Sequence, residues 1–205
     1  MLSHRNLIAN LIQIKHTALM EDVNSVLPYF HIYGFNGILN TVLSQGVHII
    51  SLPKFTPEEY IKALEDYRPS YLFVVPSLLL FLASHPAVTR EHLACIKNVT
   101  SGAASATEGL LQKFREKVGR DDIVLRQGYG MTESSPVSLY MPLLTPPSKI
   151  GTVGILVPGT EAKILDVLSG EELPENKSGE LLIRGPQIME GYLNNERATA
   201  ETVDE

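Results

Sequence analysis

The spacing of apolar residues changes period several times along the chain, and each change predicts an element. Leu7, Leu11 and Ile14, with Ile8 and Ile12 beside them, recur at helical spacing behind Ser3 or Asn6, either of which can cap the helix. Asn24 to Leu27 is a short strand candidate stopped by Pro28. Pro28-Tyr29-Phe30-His31-Ile32-Tyr33-Gly34 opens a second apolar helix, running to about Ser44, with Gly46 placed to end it. Val47 to Leu52 is rich in β-branched residues and predicts a strand. Thr56-Pro57-Glu58-Glu59 combines an N-cap, a proline at the first helical position and a capping-box glutamate. Tyr60, Ile61, Leu64 and Tyr67 follow it on one face.

The alternation continues through the middle of the chain. Tyr71 to Val75 predicts a buried strand, Ser77 caps a short helix to Ser84, and a further short helix spans Arg90 to Cys95. Lys97 to Ser101 is a strand entering Gly102-Ala103-Ala104-Ser105, and Ser105 with Glu108 forms a second capping box for a helix to Val118, ended by Gly119. Ile123-Val124-Leu125 then feeds the loop Gln127 to Ser134. Strands alternate with helices repeatedly, so the expected fold class is α/β, a mostly parallel sheet with helices on both faces.

The pattern changes after Pro142. Pro146-Pro147 marks a boundary, and beyond it the helical period disappears until Glu196. Ala162 to Leu165 and Glu180 to Ile183 read as strands joined through a turn at Ser169-Gly170. The expected division is an α/β portion over 1–145 and the start of a small antiparallel, β-barrel-like unit over 146–205. There is no internal repeat and no low-complexity tract.

Composition narrows the partners. A length of 205 residues with 44% hydrophobic and 20% charged side chains suits one sizeable core or two small domains. The net charge of −6, with lysine and arginine scattered, argues against nucleic acid. Cys95 is the only cysteine, which leaves no disulfide framework and no cysteine metal site; beside Leu93 and Ile96 it reads as a small buried residue. The longest apolar run is broken by Pro76 and Ser77, so no transmembrane segment is expected, and the first residues lack a signal peptide's charged and apolar regions. An intracellular protein in a reducing compartment is the expectation.

The chemistry concentrates in Gln127-Gly128-Tyr129-Gly130-Met131-Thr132-Glu133-Ser134. Its glycines let the backbone approach a ligand, Tyr129 offers a flat ring, Thr132 a hydroxyl and Glu133 a hard oxygen for a divalent cation. That set suits a nucleotide carrying phosphates and Mg²⁺. Gly102-Ala103-Ala104 has minimal side chains, against which a planar base can lie while Tyr129 stacks on the other side. In open α/β sheets such loops converge beyond the carboxyl ends of the strands. His31, between Phe30 and Tyr33, is either a hydrogen-bonded core histidine or a donor aimed at a carboxylate or phosphate. Gly34 and Gly37 leave volume beside it for an elongated acyl or aryl group.

Four segments carry a resemblance: Pro28 to Gly34, Ser101 to Ala104, Gln127 to Ser134, and Gly179-Glu180-Leu181-Leu182-Ile183-Arg184-Gly185-Pro186 with Gly191-Tyr192-Leu193. In order and spacing they resemble successive core motifs of the adenylate-forming (AMP-binding) superfamily. They look most like those of 4-coumarate–CoA ligases and firefly-luciferase-like acyl-CoA ligases. The resemblance implies activation of a carboxylic acid by ATP to an acyl-adenylate, then transfer to coenzyme A. It implies that Gly102, Ala103, Ala104, Gln127, Gly128, Tyr129, Gly130, Met131 and Thr132 hold the nucleotide, that Thr132 bonds phosphate, and that Glu133 binds Mg²⁺. By the same analogy His31 orients the substrate carboxylate, and His31, Tyr33, Gly37, Ala103, Gly128 and Met131 line the acyl pocket. The expected address is cytoplasmic or peroxisomal.

The sequence also departs from the family pattern. Ser105 stands where the family usually has proline, and Gly37 where the plant ligases often have a small polar residue, which favours a wider or longer pocket. A Ser/Thr/Gly-rich phosphate loop, a ribose-binding aspartate and a domain carrying the adenylation lysine are expected outside this stretch. The chain is therefore expected to be an internal fragment, inactive alone and exposing apolar surface. Two other readings are a luciferase-like or carrier-protein-loading enzyme of the same superfamily, and a non-catalytic nucleotide- or acyl-binding homologue.

Overall fold

The computed structural model describes residues 1–17 and 22–203. Among them, seven strands form one sheet: β1 Val23–Ser25, β2 Ile49–Ser51, β3 Tyr71–Val74, β4 Asn98–Ser101, β5 Val124–Gly130, β6 Val137–Tyr140 and β7 Ile155–Leu156, in the order β2-β1-β3-β4-β5-β6-β7. The first five are parallel, with Tyr71 beside Asn98 and Asn98 beside Val124, while β6 and β7 run antiparallel. The expected mostly parallel α/β architecture is present.

The pleat of β3 divides the core into two layers. Leu72 and Val74 join Val99, Leu125, Tyr60, Leu79 and Phe114 on the face covered by α3 Pro57–Tyr67, α4 Pro76–Ser84 and α5 Glu108–Val118. Tyr71 and Phe73 join Val23, Ile38, Val42 and Tyr140 on the other face. That face is covered by α1 His4–Thr17 and by a π-helix, Tyr33–Asn40, that continues as α2 Thr41–Ser44. Continuous burial along β3 on both faces is what a central parallel strand requires.

Helix α1 buries an unexpected face. Asn6, Asn10 and Gln13 are buried, whereas Ile8 and Ile12 are more than half exposed. The amide stripe holds distant backbone: Asn6 Nδ2 donates to Pro186 O and Ile188 O, Asn10 Nδ2 to Val137 O, and Gln13 Nε2 to Pro158 O. Asn10 Oδ1 also accepts from Val137 N. The apolar spacing predicted the helix but not its buried side.

Other elements begin or end differently from expectation. The second helix starts at Tyr33, because Pro28 to His31 folds as a turn against Gly34, where a Cβ would lie 2.1 Å from Pro28 O. Helix α4 starts at Pro76, with extended Val75 before it and no side-chain cap, so Ser77 lies inside the helix. Helix α5 is capped by Thr107, which accepts from Leu110 N, and not by Ser105. Arg90 to Cys95 forms successive three-residue turns instead of a helix, a stretch too short to offset helix nucleation. Cys95 is only half-buried, since its Sγ turns outward to accept from Arg68 Nε at 3.2 Å. The Thr56 cap and the Gly119 terminus form as read.

Beyond residue 146, β7 still pairs with β6, so strands on either side of that position share one sheet. β8 Glu161–Leu165 and β9 Glu180–Arg184 make a separate antiparallel pair, and α6 Glu196–Thr202 follows with Asn195 as its cap.

Candidate active site

The carboxyl ends of β3, β4 and β5 meet the start of the π-helix, and a cleft of about 150 Å³ lies between them. Of the residues singled out in the sequence, His31, Tyr33, Gly37, Gly102, Ala103, Gly128, Tyr129, Gly130, Met131 and Thr132 line it. Ala104, Gln127 and Glu133 lie outside its lining. Segments separated by about a hundred residues of sequence thus converge where an open α/β sheet is expected to bind ligand.

Tyr33 forms the inner wall. Its ring meets Phe73 edge-on at 6.1 Å, and its hydroxyl donates to Thr100 O at 3.2 Å, with Val74 O at 3.4 Å. A Cβ on Gly37 or Gly102 would stand 3.2 Å from the ring, so the two glycines leave the slot that Tyr33 fills. Burial pushes the Tyr33 phenol well above its ordinary pKa, and the hydroxyl is a proton donor throughout the neutral range.

His31 stands exposed at the mouth. Its Nδ1 accepts from Tyr33 N at 3.1 Å, so in the neutral ring the proton is on Nε2, and that nitrogen is a donor. The position just before the first helical turn adds the favourable helix dipole for an anion.

The Gln127 to Ser134 stretch is not a free loop. β5 runs on to Gly130 and pairs with β6, Gly128 beside Tyr140 and Tyr129 beside Leu139, with a bulge between Tyr129 and Gly130. The bulge re-aims the chain, leaving the Tyr129 ring 39% exposed at the cleft. Gly130 is required by close approach: a Cβ there would lie 1.8 Å from Pro136 O. The turn is closed by Met131 N donating to Pro136 O and by Ser134 Oγ donating to Pro136 O at 2.6 Å. Gln127 is buried, and its Oε1 accepts from Ala106 N at 2.9 Å, fixing the Gly102 loop to β5. Ala103 in that loop holds a left-handed backbone, φ 66°, a strained conformation for a residue with a Cβ.

Glu133 faces the chain's later segment. Its Oε1 accepts from Tyr192 Oη–H at 2.7 Å, and its backbone carbonyl accepts from Met189 N at 2.8 Å. The bond to Glu133 is the main cause of a raised Tyr192 phenol pKa. Among the described residues no cluster of three or more His, Cys, Asp or Glu side chains could cage a metal. A single carboxylate nevertheless fits Mg²⁺, which is commonly held by one or two carboxylates with phosphate and water completing the shell. No described helix is long and apolar enough to cross a membrane.

Sequence reasoning missed the cleft's floor. Phe73, Thr100 and Tyr140 line it, with Ile14, Pro136 and Val137. The only available signal was Thr100 and Tyr140, polar-edged residues within short β-runs. Tyr192 was visible as part of a motif but carried no role.

Known proteins resemble the chain in sequence and in fold. The chain is 35% identical over 208 residues to "Probable 4-coumarate--CoA ligase 1" of Dictyostelium discoideum, covering 99% of this chain and 37% of that protein. The chain thus spans well under half the length of this curated relative. Its fold matches ATP-bound MatB from Rhodopseudomonas palustris with a TM-score of 0.86, at 26% identity, over 98% of this chain and 39% of that one. It matches a long-chain-fatty-acid-CoA ligase (FadD1) from Archaeoglobus fulgidus with a TM-score of 0.85, at 28% identity, over 98% of this chain and 42% of that one. The AMP-binding enzyme family model matches residues 1–193, and the chain belongs to that family.

Proposed function

We propose that the protein to which this chain belongs is an ATP-dependent acyl- or aryl-CoA ligase. A carboxylate oxygen attacks the α-phosphorus of ATP, the bond to pyrophosphate breaks, and the thiol of coenzyme A then displaces AMP from the acyl-adenylate. The observation that carries the reading is the convergence of His31, Tyr129, Thr132 and the Gly102–Ala103 loop on one cleft. The relatives' names, CoA ligases for aryl and fatty acids, agree with it. An intracellular address, cytoplasmic or peroxisomal, belongs to the same reading.

In this mechanism the exposed Tyr129 ring and the small Gly102 to Ala104 loop flank a planar base. Thr132 supplies a hydroxyl donor to phosphate oxygen. His31 donates through Nε2 to the acid's carboxylate, its tautomer set by Tyr33 N. Gln127, buried against Ala106 N, holds the loop in position and contacts it from behind. Glu133 would hold Mg²⁺, which when bound supplies positive charge against the phosphate oxygens.

Pyrophosphate exchange by the natural full-length protein, across a panel of acids, tests the reading. Exchange with at least one acid is expected, and Glu133→Ala should lower it by about 10²–10³ with the fold intact. Binding of AMP without exchange for any acid would count against a ligase.

A further inference from the structure

Gln187 is fully buried, yet it does not line the cleft. Its side chain joins two other parts of the chain. Nε2 donates to Thr160 Oγ1 at 2.7 Å, and Oε1 accepts from Gln13 Nε2 at 3.0 Å. Thr160 immediately precedes β8, and Gln187 follows shortly after β9, so the amide ties the open base of that hairpin to helix α1. Gly185 leaves the room for it, since a Cβ there would stand 2.4 Å from Gln187 Oε1.

The main chain around this anchor holds the Thr132–Ser135 turn. Ser135 Oγ donates to Gln187 O at 2.8 Å, and Met189 N donates to Glu133 O at 2.8 Å. Asn6 Nδ2 steadies the same segment through Pro186 O and Ile188 O. Ser135 itself is fully buried and left-handed, φ 67°. A residue with a Cβ stays in that region only where its neighbours fix it. Gln187 O is one such fixed point, and Asn36 Nδ2, donating to Ser135 O at 2.6 Å, is another. The turn carrying Thr132 and Glu133 is therefore located by atoms of a segment that the Gln187 amide anchors.

Resting on the ligase reading, we infer that Gln187 is a positioning residue for the adenylation step. It acts through Ser135 and Glu133, because its amide fixes the 186–189 segment and that segment fixes the turn. The acid side of the cleft is held by different bonds, Tyr33 N to His31 Nδ1 and Tyr33 Oη to Thr100 O. Loss of the Gln187 amide should thus slow transfer at the phosphate and leave binding of the acid in place.

Gln187→Met keeps the length of the side chain and removes both amide bonds. Single-turnover formation of acyl-adenylate by the natural full-length protein, counted per AMP-binding site, should slow by about 10–100-fold. The acid concentration giving half the maximal rate should stay within about twofold. Thr160→Val removes one of the same contacts from its other side. It should slow the step in the same direction and add little to Gln187→Met. As the milder variant it decides the matter if Gln187→Met does not fold. Amide hydrogen exchange at Met189, measured without substrate or metal, should be faster in both variants. Val118→Ala, at the end of α5 in the opposite core layer, is a destabilised control whose rate per site should not change. An unchanged rate per site, a loss confined to acid binding, or unchanged exchange at Met189 overturns the inference while the ligase reading stands. No acyl-adenylate from the unmutated protein with any acid overturns the ligase reading and this inference with it.

Discussion

Tyr192 donates its phenolic hydrogen to Glu133 Oε1 at 2.7 Å, across 59 positions of sequence. Met189 N holds the backbone carbonyl of the same glutamate, so side chain and main chain are fixed by one segment. The proposed metal ligand is thereby oriented by a residue outside its own motif, as ligating carboxylates commonly are. Tyr192→Phe should loosen both contacts. The expected result is faster amide hydrogen exchange at Met189, with adenylation lowered about 10-fold or more by misplacement of Glu133.

The same contact has a pH signature. The phenol is raised above its ordinary value of 10.0, chiefly by the bond to Glu133. A raised pKa means that the stabilisation is fully present below the unfolded value and is lost as pH rises through the folded one. Protection of the Met189 amide, relative to the Tyr192→Phe variant, should therefore hold through neutral pH and vanish only on the alkaline side of 10.0. A difference between the two proteins that disappears near neutrality would show that another group controls the contact.

Glycine is required at Gly130 and at Gly102 for reasons of different severity. At Gly130 the obstacle is backbone, Pro136 O at 1.8 Å, and nothing flexible can move aside. At Gly102 it is the Tyr33 ring at 3.2 Å, which can shift only by weakening its bonds to Thr100 O and Val74 O. Gly102→Ala is expected to cost about 1–3 kcal/mol as an overpacking change. Gly130→Ala should cost more and displace the Met131–Ser134 turn. Urea unfolding midpoints rank the two, and the reverse order would refute this account.

Helix α1 inverts the usual expectation for which substitutions matter. Asn10 serves both backbone groups of half-buried Val137, so Asn10→Ala leaves a part-buried donor and a part-buried acceptor without their partner. The expected loss is about 1–3 kcal/mol for each group left unpaired. Ile12, on the outer face, is 55% exposed, and Ile12→Ser should change stability by no more than about 0.5 kcal/mol. Chemical denaturation of the two variants compares them directly.

That inversion shows where the sequence was readable. Periodicity in 3–17, the Thr56 cap and the β-branched runs located helices and strands because those signals are local. The buried side of α1 depends instead on Val137, Pro158 and Pro186, partners more than a hundred residues away, and no spacing rule reports them. The site was legible in the same uneven way. Gly102, Tyr129 and Thr132 stood out because small and polar residues after strands are uncommon in a core. Thr100, Phe73 and Tyr140 did not, since a floor residue in a strand has the same composition as any other core position. The Gln127–Gly130 segment read as loop because its glycines outweighed a strand pairing supplied by β6, which lies later in the chain.

Tyr33 separates the contributions of ring and hydroxyl. Tyr33→Phe keeps the ring in the slot between Gly37 and Gly102 and removes only the bonds to Thr100 O and Val74 O. It should cost about 0.5–1.5 kcal/mol and leave the ranking of acid substrates unchanged. Tyr33→Ala removes the wall itself and joins the space beside the two glycines to the cleft. The fold should lose about 3–5 kcal/mol, and acids with branched or bicyclic bodies should gain relative to straight ones. Relative kcat/KM across acids of increasing width measures the shift, and stability is followed in parallel by urea unfolding. Equal ranking in Tyr33→Ala and Tyr33→Phe would mean that the ring does not bound the acyl site. The wall would then have to be sought at Phe73, whose ring lies directly behind it at 6.1 Å.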